Sequence, residues 1–185
     1  MRIRAAGGLA LAMALTGCAA LRPGMPSGPL PPLAPIAPSL PASATQTLLV
    51  ATGERSLTLQ CALEFAPGGW KAACVSITGQ RLVTLEVDAN GAIRLEGESG
   101  PVDGARIAAD IQLALWPIEL LQEAQRGSAW STQQASKRTR RLHHERQLVA
   151  EVHYAGDDPW NGTLWVSNYR ERYSLEILTR RHDAP

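Results

Sequence analysis

No apolar run in this 185-residue chain approaches the ~20 residues that a bilayer-spanning helix needs, and the longest lies at the extreme N-terminus. A transmembrane helix is not expected. A basic surplus is also missing: 18 Lys and Arg face 17 Asp and Glu, so the net charge does not suit a phosphate-dense partner, and no nucleic-acid binding is expected. The usual chemical signatures are absent as well. There is no Walker phosphate loop, no dinucleotide glycine fingerprint, no Gly-x-Ser-x-Gly elbow and no His-Glu-x-x-His zinc helix, so neither catalytic residues nor a metal site is expected. What is present, 45% hydrophobic and 19% charged residues, suffices for one packed domain and is short for two.

The N-terminus reads as an address. Arg2 and Arg4 give a positive region, residues 5–15 an apolar one, and Gly17 a small residue before Cys18, the pattern of a secretory signal peptide over residues 1–17. The form Leu15-Thr16-Gly17-Cys18 resembles the bacterial lipobox, which implies a diacylglyceryl group and an N-acyl chain on Cys18; the alternative is an ordinary cysteine in a leader. Three acyl chains, at ~0.8 kcal/mol per buried methylene, exceed what stable anchoring requires. The lipobox resemblance also implies, from Ala19 in place of an aspartate after the cysteine, an outer-membrane location facing the periplasm. Without residues 1–17 the charges are 16 basic against 17 acidic.

Residues 18–46 read as the lipidated N-terminus and a tether. Eight of the thirteen prolines lie at 23, 26, 29, 31, 32, 35, 38 and 41, among Gly, Ser and Ala, a composition that favours extended polyproline chain over a core. A periplasmic stalk is the expected role and an SH3-type ligand the alternative. A single β-rich domain is expected over 47–180, with a short tail at 181–185.

Within that domain Leu57, Leu59, Cys61, Leu63 and Phe65 alternate with polar residues, as in a half-buried strand. Ala66-Pro67-Gly68-Gly69 signals a turn, and residues 70–77 return antiparallel with Phe65 facing Trp70 and Cys61 facing Cys74. The two thiols are then within reach of a disulfide in an oxidising compartment, or remain as two buried cysteines. A second hairpin follows, from Val83, Leu85 and Val87 through Asp88-Ala89-Asn90-Gly91 to Ile93 and Leu95. Residues 103–126 switch to helical spacing, interrupted by Pro117, which predicts helices over 104–115 and 117–125 closed by Gly127. Strands are expected over 129–133, 137–143, 147–155, 162–169 and 172–179. The fold class is mainly β (α+β): an open antiparallel half-barrel of about nine strands, curled around a kinked helical insertion. Phe65, Trp70, Ile111, Leu115, Trp116 and Leu120 would line a hydrophobic groove between sheet and helices, or pack as an ordinary core.

Smaller motifs have bland readings beside sharper ones. His143-His144-Glu145 suggests a metal, but neighbouring strand residues point to opposite faces and no second cluster completes a ligand set, so a solvated hairpin end is expected. Asp157-Asp158-Pro159-Trp160 reads as a turn beside a packed Trp160, with a carboxylate pair near His153 as the alternative. Lys137, Arg138, Arg140 and Arg141 form a basic cluster, read as a charged edge strand or, for Arg138, Arg140 and Arg141, as contacts to lipid headgroup phosphates.

The run from Ala109 to Pro117, Ala-Asp-Ile-Gln-Leu-Ala-Leu-Trp-Pro, followed by Tyr154-Ala155-Gly156-Asp157-Asp158-Pro159-Trp160, resembles the bacterial lipoproteins grouped as domain of unknown function 3261, over roughly residues 47–179. That resemblance implies a fold like the lipoprotein carriers LolA and LolB, an association with aryl polyene gene clusters, and no catalytic residues. The expectation it leads to is a non-enzymatic outer-membrane lipoprotein that binds or hands over a lipid or lipoprotein. An envelope scaffold that holds protein partners and has a fully packed core is the alternative.

Overall fold

The computed structural model describes residues 28–37, 39–97 and 103–182. The leader and Cys18 lie outside the described residues. Ten strands make one sheet: β1 (Ser43–Thr52), β2 (Arg55–Ala66), β3 (Gly69–Ser76), β4 (Arg81–Asp88), β5 (Ile93–Gly97), β6 (Trp130–Ser136), β7 (Thr139–His144), β8 (Gln147–Tyr154), β9 (Asn161–Asn168) and β10 (Tyr173–His182). Two helices, α1 (Gly104–Leu115) and α2 (Ile118–Ala124), lie between β5 and β6. The strand order is β5-β4-β3-β2-β1-β10-β9-β8-β7-β6, antiparallel throughout.

Two five-stranded meanders, β1–β5 and β6–β10, are joined along the β1–β10 seam, and the helical segment carries the chain from one free edge to the other. α1 touches β4 and β5 on one arm and β7 and β9 on the other, so the sheet curls around it as an open half-barrel. The open sheet expected at about nine strands has ten. The strand missed is β1, the central one. Its inward positions are Ala44, Gln46, Leu48 and Val50, while Leu49 points outward at 38% exposure, so its alternation is blurred by a buried glutamine and an exposed leucine.

Alternation sets the rest. Leu59, Cys61 and Leu63 of β2, Trp70, Ala72 and Cys74 of β3, and Leu164 and Val166 of β9 are buried on the concave face. Gly69 starts β3 at φ 141°, and a Cβ there would sit 2.1 Å from the Val87 carbonyl oxygen, so only glycine lets β4 close against this turn. The helical segment breaks where expected. Pro117 supplies no N–H and forces Trp116 into extended backbone (ψ 151°), ending α1, while Asp103 caps its start by accepting from the Ala105 N–H at 3.0 Å.

The tether expectation is corrected over its described part. Residues 28–37 are a strap packed along α1, and β1 begins at Ser43, inside the span read as linker. Pro31, Ala34 and Ala37 are buried at every third position, the period of a polyproline-II helix, so one side of the strap faces the domain. The strap explains why α1 is buried nearly all round, its polar residues Arg106, Asp110 and Gln112 included.

Candidate functional site at the mouth of the half-barrel

Because prolines donate no backbone hydrogen bond, a proline-rich strap offers mostly carbonyls, and α1 supplies the matching donors. Arg106 donates to the Gly28 and Pro29 carbonyls, Gln112 Nε2 to the Ala34 carbonyl at 3.1 Å, and Trp116 Nε1 to the Pro35 carbonyl at 3.0 Å. Gln112 also accepts from the Ala34 N–H at 2.8 Å, so one amide satisfies both backbone groups of a buried residue. The sequence analysis places Trp116 in the groove and does not anticipate the clamp contacts of Arg106 and Gln112. Arg106 and Asp110 sit one turn apart, off the apolar stripe, a spacing that resembles an exposed ion-pair face.

Beside the clamp lies a buried acid. The Tyr173 hydroxyl donates to Asp110 Oδ2, and Asn168 Nδ2 reaches the same oxygen at 3.5 Å. Burial pushes the Asp110 carboxyl up to about 6, against the downward pull of Tyr173, Asn168 and Arg106. Burial and the adjacent carboxylate push the Tyr173 phenol far up, so it stays a donor. The Asp110–Tyr173–Asn168 cluster fixes α1 to the β9–β10 turn.

The expected hydrophobic groove is corrected to a filled interior. Ile111, Leu115, Trp116 and Trp70 are at 3% exposure or less and pack as core. Leu120 is partly buried against this core. Phe65 is also partly buried and borders open space. Its ring meets Trp70 at 6.3 Å, Trp116 at 5.8 Å and Trp160 at 5.5 Å between centroids, forming an aromatic cluster at the mouth. In front of it opens a pocket of about 500 Å³, walled by Pro35, Ile36, Leu40 and Pro41 of the N-terminal segment and by Phe65 and Pro67 of the β2–β3 hairpin. A wider concavity of about 940 Å³ crosses the outer face over β1, β2, β3 and β10, but Thr45, Thr47, Gln60 and Arg180 line much of it. The mouth pocket is the better candidate for an apolar ligand, since aliphatic and aromatic side chains form its walls.

The basic cluster is corrected as well. β7 is not an edge strand, and its arginines are engaged with the protein. Arg140 is mostly buried and donates to the Leu113 carbonyl at 2.6 Å and the Trp116 carbonyl at 2.9 Å, capping α1 with a cation where the helix dipole favours one. Burial holds its guanidinium below the usual arginine range. Tyr154, pushed up to about 12 by burial, completes that cap by donating to the Ala114 carbonyl at 2.8 Å. Arg141 pairs with Glu151, whose carboxyl the arginine hydrogen bond holds low, and Arg138 donates to the Ala155 carbonyl at 3.0 Å.

Cys61 and Cys74 face each other in the β2–β3 register with Cα atoms 4.1 Å apart and are joined as a disulfide. Asp158 accepts from the Trp160 N–H at 2.9 Å and from Asn161 Nδ2 at 3.0 Å, so this motif is a turn; His153 pairs with Glu151 at 2.6 Å. His144 packs on Trp130, with ring centroids 4.5 Å apart. No group of three or more metal-ligating side chains occurs among the described residues.

Fold and site together define an open antiparallel half-barrel, filled by a helix and closed by its own proline-rich strap. The chain belongs to the family described as protein of unknown function, DUF3261, whose sequence model matches residues 43–181. No curated protein matches it. Among solved structures, a putative outer membrane lipoprotein-sorting protein domain from Vibrio parahaemolyticus is 14% identical, with a TM-score of 0.48 over 77% of this chain and 86% of that one. A DUF1329 family protein from Desulfovibrio piger is 7% identical, with a TM-score of 0.40 over 77% of this chain and 87% of that one.

Proposed function

We propose that this protein is a non-enzymatic lipoprotein of the bacterial outer membrane, anchored by acylated Cys18 with its domain in the periplasm, and that the mouth of its half-barrel takes the apolar part of an acylated molecule. A lipid of the aryl polyene type or a lipoprotein is the class of cargo that fits. The pocket of about 500 Å³ at Phe65 carries this reading: its volume is in the range of small-molecule sites, and its walls are aliphatic and aromatic. The lipobox sequence Leu15-Thr16-Gly17-Cys18 supports the anchor, and the Cys61–Cys74 disulfide suits an oxidising compartment.

A second reading, an envelope scaffold that binds protein partners, is favoured by the close burial of Trp70, Ile111, Leu115 and Trp116. Lipid extraction and mass spectrometry of the full chain purified from membranes separate the two. A co-purifying acylated molecule near one per protein, lost in Ile36→Asp and Leu40→Asp variants that still fold, is the expected result. An empty domain that retains a protein partner would replace the first reading by the second.

A further inference from the structure

We propose that one rim of the half-barrel, formed by the β1–β2, β3–β4, β7–β8 and β9–β10 turns, rests on an anionic phospholipid surface, leaving the mouth pocket at the opposite end directed away from it. This rests on the acylated Cys18 of the proposed function.

The first support is the place of Gly28 in the fold. Gly28 is fixed at this rim: its N–H donates to Glu171 Oε1 at 3.1 Å in the β9–β10 turn, and its carbonyl accepts from Arg106 near the start of α1. Gly28 is ten positions after Cys18, a reach of at most about 35 Å. The other end of the molecule, with turns 66–69, 88–92 and 156–160, lies a strand length further away, roughly 30–40 Å. A Cys18 held in a bilayer therefore keeps the Gly28 rim within about 35 Å of it, a limit that the opposite end does not share.

The second support is the chemistry of the rim. Hairpin tips are ordinarily Gly, Asn, Asp or Ser, yet the β3–β4 tip carries Ile77 at 74% exposure, the β9–β10 tip Tyr169 at 51%, and Leu148 follows the β7–β8 tip at 39%. Arg146 and Arg172 occupy left-handed backbone at φ 71° and 57°, where a glycine or asparagine is less strained. Arg55, Arg81, Arg146 and Arg172 have no ion-pair partner among the described residues, whereas Arg138 at the opposite end pairs with Asp157 and Arg181 with Asp158. Glu54 and Glu145 share the rim, Glu171 is paired to Arg106, and Asp103 caps α1, so arginine outnumbers free carboxylate. Exposed apolar tips among unpaired arginines match a headgroup layer, where each arginine near an anionic surface contributes about a fivefold gain in partitioning.

Hydrogen exchange on the full acylated chain in vesicles of phosphatidylethanolamine and phosphatidylglycerol, compared with phosphatidylcholine vesicles, tests this. Slower exchange at 76–81, 144–147 and 168–173 only with phosphatidylglycerol, none at 66–69 or 156–160, and loss of the effect in Arg146→Glu/Arg172→Glu or in high salt are expected. No change at the rim, or protection at the opposite turns, overturns the proposal. If the N-terminal peptide mass shows Cys18 unacylated, the anchor reading fails by itself. Sedimentation of that protein with the same vesicles then decides: salt-sensitive binding lost in the double variant supports the rim, and no binding overturns it.

Discussion

Arg140 points from β7 into the C-terminal end of α1, where it satisfies the Leu113 and Trp116 carbonyls that the helix leaves open. Arg138, two residues earlier, makes a largely exposed contact with Asp157. Arg140→Met keeps most of the aliphatic stem and removes the cap, so it is expected to lose about 2–4 kcal/mol in urea unfolding, while Arg138→Met stays within about 0.5 kcal/mol. Equal midpoints for the two variants would show that Arg140 is not a cap. Asp110 gives a pH signature at the same scale. Its folded carboxyl titrates at about 6 and its unfolded one at 3.8, so the folded protein holds this proton more tightly. Folding therefore takes up protons between about pH 4 and 6, and this group's contribution falls as pH rises through that window, by on the order of 3 kcal/mol. In Asp110→Asn the amide oxygen still accepts from Tyr173 without titrating. The stability of the variant relative to the parent should rise from pH 4 to pH 6.5 by thermal denaturation, and a pH-independent difference would sink the assignment.

The strap and α1 are bound to each other by side-chain amide, indole and guanidinium groups as well as by apolar packing, with Ala34 buried and Leu33 and Ile36 partly buried against the core. Gln112→Ala leaves the Ala34 N–H and carbonyl without partners, at a cost of about 1–3 kcal/mol. Because the strap lies outside the sheet ladder, the loss is expected as local release: faster amide exchange at Ala34 and Ile36, with β1 unchanged. Exchange accelerated equally in strap and sheet would mean that the strap is part of the global fold. Elements with a period were legible in the sequence. The β2–β3 register followed from the spacing of Phe65–Trp70 and Cys61–Cys74 across a four-residue turn, and the α1 break from Pro117. The strap was not legible, since a three-residue period of Pro and Ala is the same in a free polyproline linker and in one laid on a surface. The groove residues were legible as apolar but not as filled, because whether Trp116 and Ile111 leave space depends on residues 28–37 covering them. The arginine cluster misled for a similar reason. The helix end that Arg140 caps is some 25 residues earlier in sequence.

At the scale of the molecule, stability runs through the seam between β1 and β10, where the two meanders meet more than 120 residues apart in sequence. Leu48 sits at its centre, opposite Leu59 on β2 and Ile177 on β10, all at 2% exposure or less. The disulfide lies within the first arm and does not cross the seam, so packing, ladder hydrogen bonds and side-chain bonds such as Gln46 Nε2 to Thr179 Oγ1 at 3.1 Å join the halves. Each arm alone would expose one face of its sheet and an unpaired edge, and α1 would lose the strands of one side. The arms should therefore unfold together. Leu48→Ala removes a fully buried side chain shared by both and is expected to cost about 2–5 kcal/mol. Tryptophan fluorescence, with Trp70 in the first arm and Trp130 in the second, should fall in one transition that coincides with far-UV circular dichroism, in the parent and the variant alike. Two separated transitions in the variant would mean that each meander has its own stable core. The half-barrel would then be an assembly of two units, with the mouth at Phe65 belonging to the first arm and to the strap, and the rim at Tyr169 to the second.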